Sequence, residues 1–162
     1  MPAVVCDTGP LNYLILIETA DILPRLFSAV LIPAAVKNEL LHPKAPAAVR
    51  NWVADSPSWL SVVPLGSHFV PQIPKLGAGE CEAIALGLDR PGSLTLMDDR
   101  SGATEAVRRG LNVVGTLALL DRAASRGLIK LPEAFRRLQA TTFRAPLRLM
   151  ARMLEADAIR KR

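Results

Sequence analysis

The feature of this sequence that most constrains the fold is an alternation of short apolar runs with longer segments of helical periodicity. The short runs are too brief for helices and rich in the branched residues that favour strands. Strands that alternate with helices pair in parallel and are covered by helices on both faces. The sequence therefore predicts an α/β fold, a three-layer α/β/α sandwich around a mostly parallel sheet of four to five strands. Predicted strands lie at residues 3–6, 29–32, 59–63, 94–97 and 112–114, and predicted helices at residues 8–17, 22–27, 33–41 continuing through 45–54, 79–88, 101–109, 116–126, 132–139 and 146–159.

The chain is long enough for one domain with a buried core. It has 162 residues, half of them apolar, which is an ordinary size for a single domain. Residues 66–76 form a predicted loop that is too short to link two domains. We therefore expect a single domain over residues 1–162, with the C-terminal helices of residues 131–161 packed on it.

Two features of the sequence concern location. No apolar run reaches the roughly 18 to 20 residues that a membrane helix needs, and the N-terminus does not resemble a signal peptide. Cys6 and Cys81 lie in apolar patterns, which is typical of buried thiols in a reducing compartment. The sequence thus predicts a soluble, cytoplasmic protein.

The charge of the chain is positive and unevenly distributed. The formal net charge is +5, and the segment from Leu131 onward contains eight basic and three acidic residues. This balance suits a polyanionic partner such as nucleic acid, but many basic surfaces only confer solubility. Charge alone leaves the two interpretations open.

Acidic residues follow several of the predicted strands or begin the helices next to them. In parallel sheets the active site lies beyond the carboxyl ends of the strands, so these side chains are candidates for one site. The group consists of Asp7 after the first strand, Asp98 and Asp99 after the fourth, Glu39 in the helix after the second, and Glu80 and Glu82 at the start of the helix before the fourth.

Clustered carboxylates require compensation. Two like charges about 4 Å apart repel by around 4 kcal/mol at an effective dielectric constant near 20, so a cluster needs a cation or raised pKa values. With oxygen ligands only, Mg²⁺ or Mn²⁺ is favoured over Zn²⁺. Such ions activate water for phosphodiester hydrolysis.

Each acid also has a structural interpretation. Asp7 or Thr8 could cap the first helix, Asp99 could cap the helix at residues 101–109, and Glu80 could stabilise the start of its own helix. Only the joint placement of the acids favours a functional site.

Five segments, taken in order, resemble the successive motifs of PIN-domain proteins, and most of all an uncharacterised nucleic-acid-binding branch that is similar to VapC-type toxins. The resemblance extends from about residue 3 to residue 130. The segments are Val5-Cys6-Asp7-Thr8-Gly9-Pro10-Leu11, Ile32-Pro33-x-x-Val36-x-x-Glu39-Leu40, Gly79-Glu80-x-Glu82-Ala83-Ile84-Ala85-Leu86, Leu94-x-Leu96-x-Asp98-Asp99-Arg100 and Val114-Gly115-Thr116-Leu117.

The resemblance implies a metal-dependent ribonuclease that hydrolyses RNA phosphodiester bonds and whose carboxylates hold one or two Mg²⁺ ions. It also implies a protein that is often a homodimer and often the toxin of a toxin–antitoxin pair, with an antitoxin protein as partner. The alternative is a non-catalytic PIN-like module that binds nucleic acid or a protein. Apolar residues of the first helices are either core or a dimer face.

Carried over residue by residue, the resemblance assigns the metal-binding acids. Asp7, Glu39 and Asp98 match the family's positions, and for the remaining acid the chain offers Glu80 or Glu82 where the family has Asp. We favour Glu80, which follows a glycine at the start of its helix, and keep Glu82 as the substitute. The resulting site has Asp7, Glu39, Glu80 and Asp98 as catalytic and metal-binding residues, Asp99 as a supporting metal ligand, and Thr8, Thr116 and Arg100 as substrate-binding residues, with N-capping as an equal alternative for both threonines.

Overall fold

A computed structural model describes residues 1–66 and 73–162 of the chain. In this part of the protein five strands form one sheet, in the order β3-β2-β1-β4-β5, and all neighbouring strands are parallel. The predicted α/β fold is therefore confirmed. The strands are β1 (Val4–Cys6), β2 (Val30–Ile32), β3 (Leu60–Val62), β4 (Leu94–Leu96) and β5 (Asn112–Val114).

Helices connect and cover the strands. Nine α-helices and one short 3₁₀ helix, Ala20–Ile22, lie in the described ranges, close to their predicted positions. Residues 67–72, in the middle of the predicted loop at 66–76, lie outside the described residues. The α-helices are α1 (Thr8–Leu16), α2 (Leu23–Leu26), α3 (Ala34–Leu40), α4 (Ala47–Ala54), α5 (Ala78–Leu88), α6 (Arg100–Arg108), α7 (Thr116–Ser125), α8 (Leu131–Gln139) and α9 (Leu147–Arg160).

The predicted continuous helix through residue 54 is wrong, because α3 and α4 are separate helices. Pro43 and Pro46 lie between them. Proline lacks a backbone N–H and disfavours helical geometry in the residue before it. A turn replaces the helix here, in which the N–H of Ala45 donates to the carbonyl of His42 at 2.8 Å.

The central strands β1 and β2 are buried on both faces of the sheet, as the three-layer prediction requires. Successive side chains of a strand point to opposite faces. Accordingly, Val4 and Cys6 of β1 belong to one apolar core, and Val5 belongs to the other. The first core includes residues of α1, α2, α7, α8 and α9, and the second is formed mainly by α5.

The helices α1, α8 and α9 contribute apolar side chains to the first core. Leu11, Leu14 and Ile15 of α1 are buried in the first core, so this helix carries core residues rather than an exposed apolar face. Phe135 of α8 and Met150 of α9 join the same core, and the C-terminal helices pack against α7 and each other.

Two further sequence-based expectations concern thiols and membranes. Cys6 and Cys81 are buried free thiols, as predicted. Within the described ranges, no helix has both the length and the apolar composition that crossing a bilayer requires.

The strand order places the candidate acids. The direction of the connections reverses beside β1, whose neighbours are β2 and β4, and ligands bind α/β sheets at such reversals, beyond the carboxyl ends of the strands. Asp7 follows β1 there and donates its backbone N–H to the carbonyl of Leu96 in β4 at 2.9 Å. Asp98 lies two residues beyond that strand.

Candidate functional site

Asp7 is a buried carboxylate without an ordinary structural role. It occupies the N-cap position of α1, yet its side chain makes no capping hydrogen bond. The residue is only 4% exposed, and its Oδ1 has no hydrogen-bond partner in the described part of the chain. Buried polar atoms are normally paired, so helix capping does not explain this residue.

The surroundings of Asp7 disfavour its negative charge. The pKa of this carboxyl is raised to about 7, mainly by burial and also by the negative charges of Glu80, Glu39 and Asp99, while a hydrogen bond from the backbone N–H of Thr8 acts in the opposite direction. Without a cation, the folded protein thus holds a proton at Asp7 well above the ordinary range of an aspartic acid. A cation at Oδ1 would favour the ionised form instead.

Glu39 is held where three helices converge. Its Oε2 accepts a hydrogen bond from the Thr8 hydroxyl at the start of α1, and its Oε1 accepts one from the N–H of Gly79 in α5 at 3.3 Å. A Cβ at position 79 would overlap the carboxylate of Glu39. A side chain at position 79 would therefore displace this carboxylate from its hydrogen bonds, a relation that the sequence alone did not reveal because the two residues lie 40 positions apart.

Asp98 is bound to the start of α7. Its Oδ1 accepts a hydrogen bond from the N–H of Thr116 at 2.8 Å, and its Oδ2 accepts one from the Thr116 hydroxyl at 2.5 Å. The carboxylate thus lies at a helix N-terminus, where negative charge is favoured. Its charge is not among those that raise the pKa of Asp7.

The two glutamates at the start of α5 have different surroundings. Glu82 accepts a hydrogen bond from the backbone N–H of Ala35 at 3.1 Å, so it satisfies the first turn of α3. Glu80 is instead one of the charges that raise the pKa of Asp7. The structure therefore brings Glu80 to Asp7, whereas the side chain of Glu82 is hydrogen-bonded to the neighbouring helix α3.

Asp99 combines the two interpretations given to it. Its Oδ2 accepts a hydrogen bond from the N–H of Gly102 at 2.8 Å, which makes it the N-cap of α6. Its charge also acts on Asp7. The charges that act on Asp7 are thus those of Glu39, Glu80 and Asp99, whereas Asp98 is held separately by Thr116.

The chemistry of the donors fits a hard divalent cation, although the side chains are not arranged around one. Within the described ranges, no group of three or more His, Cys, Asp or Glu side chains is disposed so that it could hold an ion. The carboxylates of Glu39 and Asp98 are drawn to protein donors. Each carboxylate oxygen has a second lone pair, however, and the donor set is all oxygen, as Mg²⁺ prefers. Oδ1 of Asp7 is a fully buried carboxylate oxygen that lacks a partner among the described residues.

A cavity of about 790 Å³ lies beside the acids. Asp98, Asp99 and Arg100 line it on one side, and Arg100 is exposed at the start of α6. Tyr13 and Phe143 line it as well. Sequence reasoning missed these two aromatic residues, because they are 130 positions apart in sequence and no local pattern joins them.

Comparison with known proteins agrees with the fold. A solved structure of a PilT N-terminus domain protein from the hyperthermophilic archaeon Sulfolobus solfataricus P2 is similar, with 18% sequence identity and a TM-score of 0.52; the similarity covers 76% of this chain and 93% of that chain. No curated protein matches the chain at a significant level. A family model described as a PIN domain matches residues 3–158. PIN domains are generally nucleases that use divalent metal ions. Because the match spans nearly the whole chain, this protein belongs to the PIN-domain family.

Proposed function

We propose that this protein is a metal-dependent ribonuclease that hydrolyses RNA phosphodiester bonds. In this proposal Asp7, Glu39, Glu80 and Asp98 hold Mg²⁺ or Mn²⁺, with Asp99 in support. The observation that carries the proposal is Asp7, a buried carboxylate whose Oδ1 lacks a partner among the described residues and whose neighbours are acidic. A divalent cation removes both sources of instability at once.

The protein's own residues have distinct tasks in this site. Thr8 and Gly79 hold the carboxylate of Glu39, and Thr116 holds that of Asp98, so these acids keep one orientation. Arg100 lines the cavity together with Asp98 and would attract a phosphate. A bound divalent ion supplies an acidified water and neutralises charge on the leaving oxygen.

Further parts of the proposal rest on the family alone. We include a cytoplasmic location, a homodimer and a role as the toxin of a toxin–antitoxin pair with an antitoxin protein. Expression of the protein without a partner should then slow growth, and purification from its native cells should recover a second protein. Normal growth, together with a purification that recovers no second protein, would contradict the toxin role.

The decisive experiment is RNA cleavage by purified protein. We expect wild type to cut members of an RNA panel with Mg²⁺ or Mn²⁺ and not with EDTA, and Asp7→Asn to lose about 100-fold or more, since it removes a charged metal ligand. Asp55→Asn is the matched control. It removes the same negative charge, at an exposed residue that follows α4. Equal activity in wild type and Asp7→Asn would sink the mechanism.

The competing function is a non-catalytic PIN-like module that binds nucleic acid or a protein. The engagement of Glu39 and Asp98 with protein donors favours it, because these contacts satisfy the carboxylates without an ion. That function predicts RNA or protein binding with no cleavage under any divalent metal. The same cleavage assay, paired with a binding assay, separates the two.

A further inference from the structure

A second cavity, of about 740 Å³, lies where the end of α7, the start of α8 and the end of α9 meet. Helix α7 separates it from the acids. Thr116 in the first turn of that helix holds Asp98, and Gly127, just beyond the last turn, lines the cavity. The ten residues of α7 span about 15 Å. A ligand in this cavity would therefore be separate from anything bound at the acids.

Part of the cavity lining is apolar and is fixed by the core. Ala124, Ile129 and Pro132 contribute to it. Ala124 is buried, and Ile129 is half-buried against the first core. Among the described residues, no aromatic side chain lines the cavity. Such a surface suits an aliphatic side chain, since a nucleobase is normally held by stacking on a ring.

The rest of the lining is mainly basic. Lys130, Arg136 and Lys161 contribute to it, against the single acid Glu133. Lys130 is exposed, and in the described part of the chain it has no acidic side chain within salt-bridge distance. Arg136 lies 3.8 Å from Glu133, which is too far for a hydrogen bond. Lys161 binds Asp157 at 2.8 Å, but an ammonium group has three N–H donors. The cavity thus has donors left for the carboxylates of a ligand.

The cavity continues along α8 into a smaller one of about 180 Å³. The two share Ile129, Lys130 and Glu133, and the smaller one is also lined by Thr19, Ala134 and Arg137. We call the two cavities together the basic groove. The larger cavity alone lies within the range of about 300 to 1,000 Å³ that is usual for ligand sites. The continuation makes the surface elongated, which suits a segment of polypeptide better than a compact small molecule.

We infer that the basic groove binds an acidic peptide segment of a partner protein. An aliphatic side chain of the segment lies against Ile129, and carboxylates on either side of it contact Lys130 and its basic neighbours. RNA is also anionic, but Glu133 repels phosphates and no ring lines the cavity for a base to stack on. The backbone N–H groups of a peptide can instead donate to that glutamate. This inference does not depend on RNA cleavage by the acids.

The first test is binding of a fluorescent peptide, Glu-Glu-Leu-Glu-Glu-Leu-Glu-Glu, measured by anisotropy. We expect saturable binding to the full chain. A second peptide with serine in place of both leucines has the same charge and should bind about tenfold more weakly, because it loses apolar burial. Absence of saturable binding, or equal binding of the two peptides, overturns the inference.

A charge reversal with a matched control locates the contact. Lys130→Glu should weaken binding of the leucine peptide about tenfold, since like charges then oppose each other. The N-cap of α8 is this residue, and a negative charge is favoured at a helix start, so the fold should be kept. Lys44→Glu makes the same change at an exposed lysine between α3 and α4 that lines neither cavity. It should weaken binding less than about twofold, because salt screens charges outside the groove. Equal weakening by the two variants contradicts the proposed site.

Crosslinking and competition complete the test. A carbodiimide joins a peptide carboxylate to a lysine amine that it touches, and mass spectrometry should find the product at Lys130 or Lys161. Products at Lys37 or Lys44 instead would place the peptide elsewhere and refute the assignment. In EDTA, a single-stranded RNA with as many phosphates as the peptide has carboxylates should not displace the peptide. Displacement by RNA, with RNA binding that Lys130→Glu weakens, would show that the groove takes nucleic acid and would overturn the inference.

Discussion

Asp7 is the residue whose energetics are most unusual. It is buried beside other acids, and one of its oxygens has no partner in the described part of the protein. Burial of an ionised carboxylate costs free energy unless it is paired. In the metal-free protein this cost should appear as a pH dependence of stability, which makes it measurable without any substrate.

The first prediction concerns stability against pH in EDTA. The pKa of Asp7 is about 7 in the folded protein and near the ordinary value of about 3.9 in the unfolded chain. Between these two pH values the folded state binds more protons than the unfolded chain. The stabilisation of the fold by protonated Asp7 is therefore fully present below about pH 4 and is lost as pH rises through 7. The full loss is up to about 4 kcal/mol, from a shift of about three pH units.

Asp7→Asn should remove that slope, because an amide does not ionise. In EDTA at pH 8 the variant should melt at a higher temperature than wild type, and Mn²⁺ should raise the melting temperature of wild type only. Parallel pH profiles of wild type and variant in EDTA would show that Asp7 is not the titrating group.

Gly79 has no Cβ, so the carboxylate of Glu39 can lie close to its backbone. Gly79→Ala adds a methyl group where the carboxylate of Glu39 lies, so that carboxylate must leave its hydrogen bonds. Folding stability should change by less than about 1 kcal/mol, because alanine is the better helix former. RNA cleavage should fall about tenfold or more, since small displacements in an active site are costly.

The control for this variant is Gly9→Ala. Gly9 is also at the start of a helix, α1, and nothing lies within 4 Å of its Cβ position. Because Gly9 lines the cavity beside the acids, this variant is a control for stability only, and it should melt at or slightly above the wild-type temperature. A fully active Gly79→Ala protein would mean that Glu39 need not stay where the structure has it.

At the scale of elements, α3 and α5 are joined by reciprocal contacts. Gly79 of α5 donates its N–H to Glu39 of α3, and Glu82 of α5 accepts the N–H of Ala35 at the first turn of α3. Helix N-termini leave N–H groups without intrahelical partners. Glu82 thus stabilises the helix that carries Glu39, and Glu80 lies with Asp7.

The two glutamates should consequently separate stability from metal binding. Glu82→Ala should lower the free energy of unfolding by about 1 kcal/mol, as loss of a helix cap does, while Mn²⁺ still stabilises the variant. Glu80→Ala should keep or raise stability in EDTA, because it removes a charge that opposes Asp7, and should lose the stabilisation by Mn²⁺. Urea unfolding with and without Mn²⁺ measures both effects, and the reverse pattern would assign the metal to Glu82.

At the scale of the whole molecule, the C-terminal helix is linked to α7 by Arg160, which is held by a buried acid of its own helix. Asp157 of α9 accepts hydrogen bonds from Arg160 at 2.9 Å and Lys161 at 2.8 Å, and Arg160 also donates to Asp121 of α7 at 2.9 Å. Burial alone would raise the pKa of Asp157, but the hydrogen bonds from Lys161 and Arg160 outweigh it and hold that pKa below its usual value. This group therefore stabilises the fold above its unfolded pKa and stops doing so as pH falls.

Asp157→Ala should lower the free energy of unfolding at pH 7 by about 1 to 2 kcal/mol, a modest amount because the basic partners are partly exposed. The difference from wild type should shrink as pH falls below the unfolded pKa of about 3.9, which is opposite in sign to the effect at Asp7. Urea unfolding at several pH values measures it. Glu155→Gln, an exposed acid on the same helix, is the control and should match wild type.

The sequence by itself determined the order of the elements and the acids that follow them. Apolar runs and helical periods are local properties, so they placed every strand of the described sheet. They failed at α3 and α4, where two prolines overrode the apolar pattern. Motif order was enough to indicate the PIN-domain family, which the family match confirmed.

Only the tertiary structure decided which side chains meet. The choice between Glu80 and Glu82 depends on where α5 packs against α3, and the pairing of Glu39 with Gly79 or of Tyr13 with Phe143 joins residues far apart in sequence. Such contacts depend on packing across the whole fold, for which a local period carries no information. The sequence could therefore identify the acids. The burial and the acidic neighbours that raise the pKa of Asp7 exist only in the folded chain.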